Sequence, residues 1–171
     1  MKKARLLGVV AILTVLAGAT ASCAEPTLKL TISVPEPVVR AGADVRVNVV
    51  LRNVGDHPVN LIAAPRVFNG AVGEVHYYRA TVTDEKGNSA VFTAFGKKIW
   101  GEDAAPGALF DGSMILASPL NPGEEDRHSL MISKLYDLSK PGKYTIQVTR
   151  LDLEGTKIQL KSNAITVTVE P

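Results

Sequence analysis

A chain of 171 residues, 46% of them hydrophobic and with 19 Lys and Arg against 17 Asp and Glu, is long enough to build one ordinary domain around its own core. Three of the cations, Lys2, Lys3 and Arg5, and none of the acids fall in residues 1–24, so residues 25–171 carry 16 cations and 17 anions, net −1. A near-neutral domain has no global field to gather polyanionic nucleic acid, and nucleic-acid binding is excluded on that ground.

The chain opens on the order positive, apolar, small. Lys2, Lys3 and Arg5 precede an apolar run from Leu6 to Gly18, and Ala19-Thr20-Ala21-Ser22-Cys23-Ala24 follows. That order is the pattern of a secretory signal peptide over 1–24, with a single domain over 25–171. The apolar run is too short for a permanent membrane helix, and no later stretch is apolar enough for one. The expected location is extracytoplasmic, periplasmic or secreted. Cys23 is the only cysteine, which excludes an internal disulfide. Two fates fit it. A lipoprotein-type cut before Cys23 would leave it N-terminal, acylated and membrane-anchored. An ordinary cut after Ala24, with Ser22 and Ala24 as the small recognition residues, would remove it, and a cut after Ala21 is a further option. Thr20 stands where a lipoprotein signal prefers Leu, which favours the ordinary cut.

Strand patterns then recur and helical ones do not. Leu28, Leu30, Ile32 and Val34 alternate with polar residues, the period of a half-buried strand. Pro35-Glu36-Pro37 and Ala41-Gly42 turn the chain into a second strand with Val45, Val47, Val49 and Leu51 on one side. Gly55-Asp56-His57-Pro58 is a turn cluster before a short strand, Val59 to Ala63. His76 to Thr83 reads as a strand, with Asp84-Glu85-Lys86-Gly87-Asn88 a hairpin turn into Ala90–Ala94. Met114 to Leu120 and Arg127 to Ile132 flank the turn Asn121-Pro122-Gly123-Glu124. Tyr144, Ile146 and Val148 alternate, as do Ile165, Val167 and Val169, with a hairpin expected around Glu154-Gly155. About eight short strands, and no helix longer than a turn, predict an all-β antiparallel β-sandwich of immunoglobulin-like type. Tyr144, placed after Pro141-Gly142-Lys143, suits the structural tyrosine that hydrogen-bonds to upstream backbone at a sandwich corner.

Those blocks resemble bacterial extracytoplasmic immunoglobulin-like domains, through Ala41-Gly42, Leu51-Arg52-Asn53-Val54-Gly55, Leu120-Asn121-Pro122-Gly123-Glu124 and Pro141-Gly142-Lys143-Tyr144. The same skeleton is similar to the bacterial intracellular proteinase inhibitor family and to the β-sandwich region of deuterolysin-type metalloproteases. The resemblance implies a sandwich over most of 27–169 and hints at protease-related binding. It does not extend to chemistry. The His-Glu-x-x-His zinc helix of the metalloproteases is absent, and no residue matches an inhibitory motif.

Catalytic, cofactor and metal signatures are missing. His57, His76 and His128 have no second His or Cys at ligand spacing. Serine-nucleophile, dinucleotide and phosphate loops do not occur, and Ser113 has only a short turn context. The acidic pairs Glu102-Asp103 and Glu124-Glu125-Asp126 lack the alternation of a calcium loop and read as solvated turn charges. A non-enzymatic domain without cofactor or metal is expected.

Two segments offer a binding surface. Phe95 to Ser113 exceeds what a minimal sandwich needs, and it holds the only tryptophan, Trp100, with Phe95, Phe110, Lys97 and Lys98. Its aromatics either contact a partner, with the lysines as a charged rim, or fold back to cap the core, and capping is favoured. Phe68 with Tyr77 or Tyr78 forms the second candidate, an aromatic platform for peptide or sugar. Only one of the two tyrosines can face the core. The expected function is to bind another protein, with proteinase inhibition or carbohydrate binding as alternatives.

Overall fold

The computed structural model describes residues 27–63, 78–101, 116–151 and 159–171. The expected signal segment with Cys23, Phe68, His76, Tyr77, Glu102-Asp103, Phe110, Ser113 and the hairpin expected at Glu154-Gly155 lie outside them.

The described residues form an all-β sandwich-like fold. One sheet orders β1 (Leu28–Ser33), β3 (Arg46–Asn53) and β7 (Glu125–Met131) as β1-β3-β7. The second orders β2 (Val38–Arg40), β5 (Tyr78–Asp84), β8 (Gly142–Leu151) and β9 (Gln159–Glu170) as β2-β9-β8-β5. A two-stranded ribbon joins β4 (Val59–Ala63) to β6 (Leu116–Leu120). The alternation read from the sequence decides which side chains turn inward. Val47, Val49 and Leu51 from β3 meet Ile146 and Val148 from β8 and Val167 from β9, all with no solvent exposure.

Pairing is antiparallel except at one edge, where β2 runs parallel to β9 with Val38 opposite Thr168. The short β2 and this parallel pair depart from the all-antiparallel expectation. The β4–β6 ribbon continues the β3–β7 pair past a bend, and Asn53 holds that bend. Fully buried, Asn53 donates from Nδ2 to the carbonyls of His57 and Leu120, each at 2.8 Å, and accepts from the Gly55 N–H at 2.9 Å. Gly87 and Gly123 sit in turns at φ of 82° and 81°, where a side chain would be strained.

The two sheets are clipped together at the β1 edge by one amide. Asn163 of β9 accepts from the Ile32 N–H at 2.9 Å and donates to the Ile32 carbonyl at 3.0 Å, copying a strand partner with a side chain. At the bulge beside it, between Gln147 and Thr149, the Ser162 hydroxyl accepts the buried Val148 N–H at 2.9 Å.

One helix corrects the expectation that none is longer than a turn. Ala90–Ala94 is not a strand: only Ser89 and Phe92 make isolated bridges, and α1 (Ala94–Trp100) begins directly after Thr93. A second, four-residue helix, α2 (Ile132–Leu135), follows β7. Thr93 caps α1 by accepting the Gly96 N–H at 3.0 Å, and the Gly101 N–H closes its far end on the Lys97 carbonyl. The apolar residues Phe95, Ile99 and Trp100 then fall on one side and Lys97 and Lys98 on the other. This is a helical period compressed into two turns. Gly96 is needed because a β-carbon there would collide with the Leu135 carbonyl.

Candidate functional site

The α1–α2 unit covers an edge. β5 is the last strand of its sheet, and its outward backbone groups need partners. The Ala90 N–H takes the Val82 carbonyl, and the Tyr136 hydroxyl donates to the Ala80 carbonyl at 2.7 Å. Tyr136 in turn stacks on Phe92, with ring centroids 4.7 Å apart, and lies 6.3 Å from Trp100. Burial pushes the Tyr136 phenol up to about 12, offset in part by the Arg79 charge.

Phe95 and Trp100 therefore pack, half-buried, against the core, while Lys97 and Lys98 face solvent. The Trp100 carbonyl accepts a long 3.5 Å hydrogen bond from Arg79. What the unit turns outward is basic with one apolar spot. Lys97, Lys98 and Lys134 are exposed, and Val91, leading into α1, is 64% exposed. Tyr78 lies inside, at 1% exposure, and is no part of a surface platform. Tyr144 is buried at the head of β8, and its hydroxyl donates to the Lys140 carbonyl four residues upstream at 2.9 Å. Burial first, then the charges of Asp137 and Asp84, raise its phenol above the ordinary value of 10.0.

A second constellation was not anticipated from the sequence. At the edge where β5 and β7 face each other across the sandwich, polar groups occupy inward positions. Asp126 and His128 share the inward side of β7 with Leu130, opposite Leu51 and Val49 of β3. The Asp126 carboxylate is 2.7 Å from His128 Nε2, so Asp126 is a strand residue with a defined partner rather than a solvated turn charge. The His128 ring meets Tyr78 at 5.1 Å between centroids, and the Tyr78 oxygen accepts from Arg150 Nη1 at 2.7 Å. Arg150 is only 6% exposed, and its guanidinium carbon lies 5.1 Å from the Tyr78 ring centre. A cation can sit that deep because phenol oxygen and ring face both offer it negative potential. Chemically, the row holds a carboxylate orienting an imidazole, beside a phenol held by a guanidinium. The signal was available: Asp126 and His128 have the parity of a buried face, where uncompensated polar residues are rare.

Among the described residues no group of three or more His, Cys, Asp or Glu side chains is arranged to hold a metal ion. No helix among them is long and apolar enough to cross a membrane.

No protein-family model matches the chain, and no curated protein matches it. Among solved structures, the chain is similar over 83% of its length to 91% of the CARDB domain of the PF1109 protein from Pyrococcus furiosus, a structure in complex with di-metal ions, at 14% identity and a TM-score of 0.38. It is similar over 85% of its length to 97% of BslA, a bacterial hydrophobin, at 13% identity and a TM-score of 0.37. A β-glucosidase from Listeria innocua in complex with glucose matches 84% of this chain but only 16% of its own, at 13% identity and a TM-score of 0.42. At these identities and TM-scores the likenesses carry nothing about ligand or activity.

Proposed function

We propose that the chain is an exported immunoglobulin-like module that performs no catalysis and binds another protein through the outward side of α1 and α2. The observation that supports this reading is the mounting of α1. A capped two-turn helix is fastened through Gly96 and Thr93 to α2, with its aromatics turned in and Lys97 and Lys98 turned out. Held this way, the surface needs little ordering on contact, which lowers the entropic cost of binding. Exposed Val91 supplies an apolar spot beside the cations, and the lysines would match an acidic rim on the partner.

The test is a pull-down from extracytoplasmic extract with the purified exported protein, beside Lys97→Glu/Lys98→Glu as its charge-reversed counterpart. Both residues are exposed, so the variant is expected to keep the wild-type circular dichroism and melting curve. A protein retained by the wild type and lost by the variant supports the reading. The same set of proteins retained by both removes this surface from it.

A further inference from the structure

The outer face of the β1-β3-β7 sheet presents a pattern that the proposed protein-binding surface does not use. Its rows run Lys29–Arg52–Glu125, Thr31–Val50–Arg127 and Ser33–Asn48–Ser129, and Arg46 opposite Met131 completes it. Lys29, Arg46, Arg52 and Arg127 are all exposed. Glu125 is the one carboxylate among the described residues of that face. It is already shared, lying 4.0 Å from Arg52 and ion-paired with Arg127. Arg46 and Arg52 mark the two ends of β3 on this face, Lys29 stands beside Arg52 on β1, and Arg127 stands opposite Val50 on β7. Arg46 and Arg52 are six residues apart, which at the rise of a strand is about 20 Å.

We infer that this face binds an anionic polysaccharide, a linear polyuronate whose carboxylates meet Arg46 at one end of β3 and the Lys29, Arg52 and Arg127 group at the other. The charge complementarity is direct: a net-cationic face on a domain whose overall charge is close to zero. Between the cations stand short hydroxyl and amide side chains, Thr31, Ser33 and Asn48, of the size and polarity to exchange hydrogen bonds with sugar hydroxyls. The inner side of β3 is fully buried, so the strand that carries two of the cations is rigid before any ligand arrives. Among the described residues the face carries none of the large aromatic anchors that dominate protein interfaces and no apolar belt of a membrane-inserting surface. A hydroxyl-rich polyanion needs neither.

The test is affinity electrophoresis and titration calorimetry of the purified exported protein with polygalacturonate, and with amylose as the uncharged comparator. Binding to polygalacturonate alone is expected, weakening by about tenfold or more as salt shortens the screening length from about 10 Å toward about 3 Å. Arg46→Glu/Arg127→Glu, and separately Lys29→Glu, should each weaken it with the wild-type circular dichroism retained, the double variant by about tenfold or more, since each reversal replaces an attraction to the ligand by a repulsion. Lys143→Glu/Lys161→Glu, on the other sheet, is expected to leave binding as it was. No binding to polygalacturonate, equal binding to amylose, or equal losses from the two double variants would overturn the inference. So would wild-type binding only to anionic lipid vesicles or to an acidic protein.

Discussion

Between its two sheets the molecule is built from opposite materials at its centre and at its β5–β7 edge. The centre is dry: Val47, Val49, Leu51, Ile146, Val148 and Val167 are fully buried in one apolar cluster. At the edge the same inward positions hold Asp126, His128, Tyr78 and Arg150. Inward parity on a strand specifies a direction, and whether that direction is apolar depends on what stands across from it. At the centre a full opposing sheet stands there. At the edge the two outermost strands face each other and a polar row can satisfy itself.

The comparison sets an order of mutational cost. Ile146→Ala empties part of the dry centre, where neighbours cannot relax into the gap, and should lose about 2–5 kcal/mol in urea unfolding. A loss well under that range would mean the centre is less tightly packed than its burial implies. Tyr78→Phe keeps the ring but deletes the oxygen that accepts from Arg150, and should cost about 1.5–3 kcal/mol because the hydrogen bond is to a charged group. If it instead costs nothing, the polar row is not held by that bond.

Tyr136→Phe removes the hydroxyl that covers the β5 edge, for about 0.5–1.5 kcal/mol. The same phenol gives an alkaline limit. Its folded value of about 12 lies above the ordinary 10.0, so its contribution is complete below pH 10 and is lost as pH rises through the folded value. Wild-type stability should therefore fall above pH 10, and the Tyr136→Phe variant should fall less steeply. Equal alkaline slopes would separate Tyr136 from the effect.

The smallest effect belongs to the exposed hairpin turn. The Asp84 carboxylate accepts from the Asn88 side chain at 3.1 Å and from the Asn88 and Lys86 N–H groups, which together hold it below the ordinary 3.8. A lowered carboxylate helps folding above its unfolded value, and that help disappears as pH falls through the folded one. The Asn88 amide shift followed by NMR should hold steady down to the ordinary aspartate range and move only in stronger acid. Movement at or above pH 3.8 would contradict the hydrogen-bonded turn.

Particular residues show why some of this was readable beforehand. Leu30 and Ile32, Val45 to Leu51, Ile146 with Val148, and Ile165 to Val169 announce strands because alternation at a fixed period is local information. The turns at Gly87 and Gly123 are local as well, being matters of backbone sterics. Helix α1 was missed because two turns give Phe95, Ile99 and Trp100 too few repeats to separate from a loop, and Gly96 looks like a breaker. Only the Leu135 carbonyl beside it explains that glycine.

The all-β character, the aliphatic inward set on the long strands and the position of most turns were legible in the chain alone, since each follows from neighbours one or two residues apart. Tertiary structure alone decided that Asn163 would clip Ile32, that Tyr136 would seal the β5 edge and that Tyr78 would stand between His128 and Arg150. Those partners are between 50 and 131 residues apart. A period of two states which face a side chain occupies, and only the order of the strands states what it meets there.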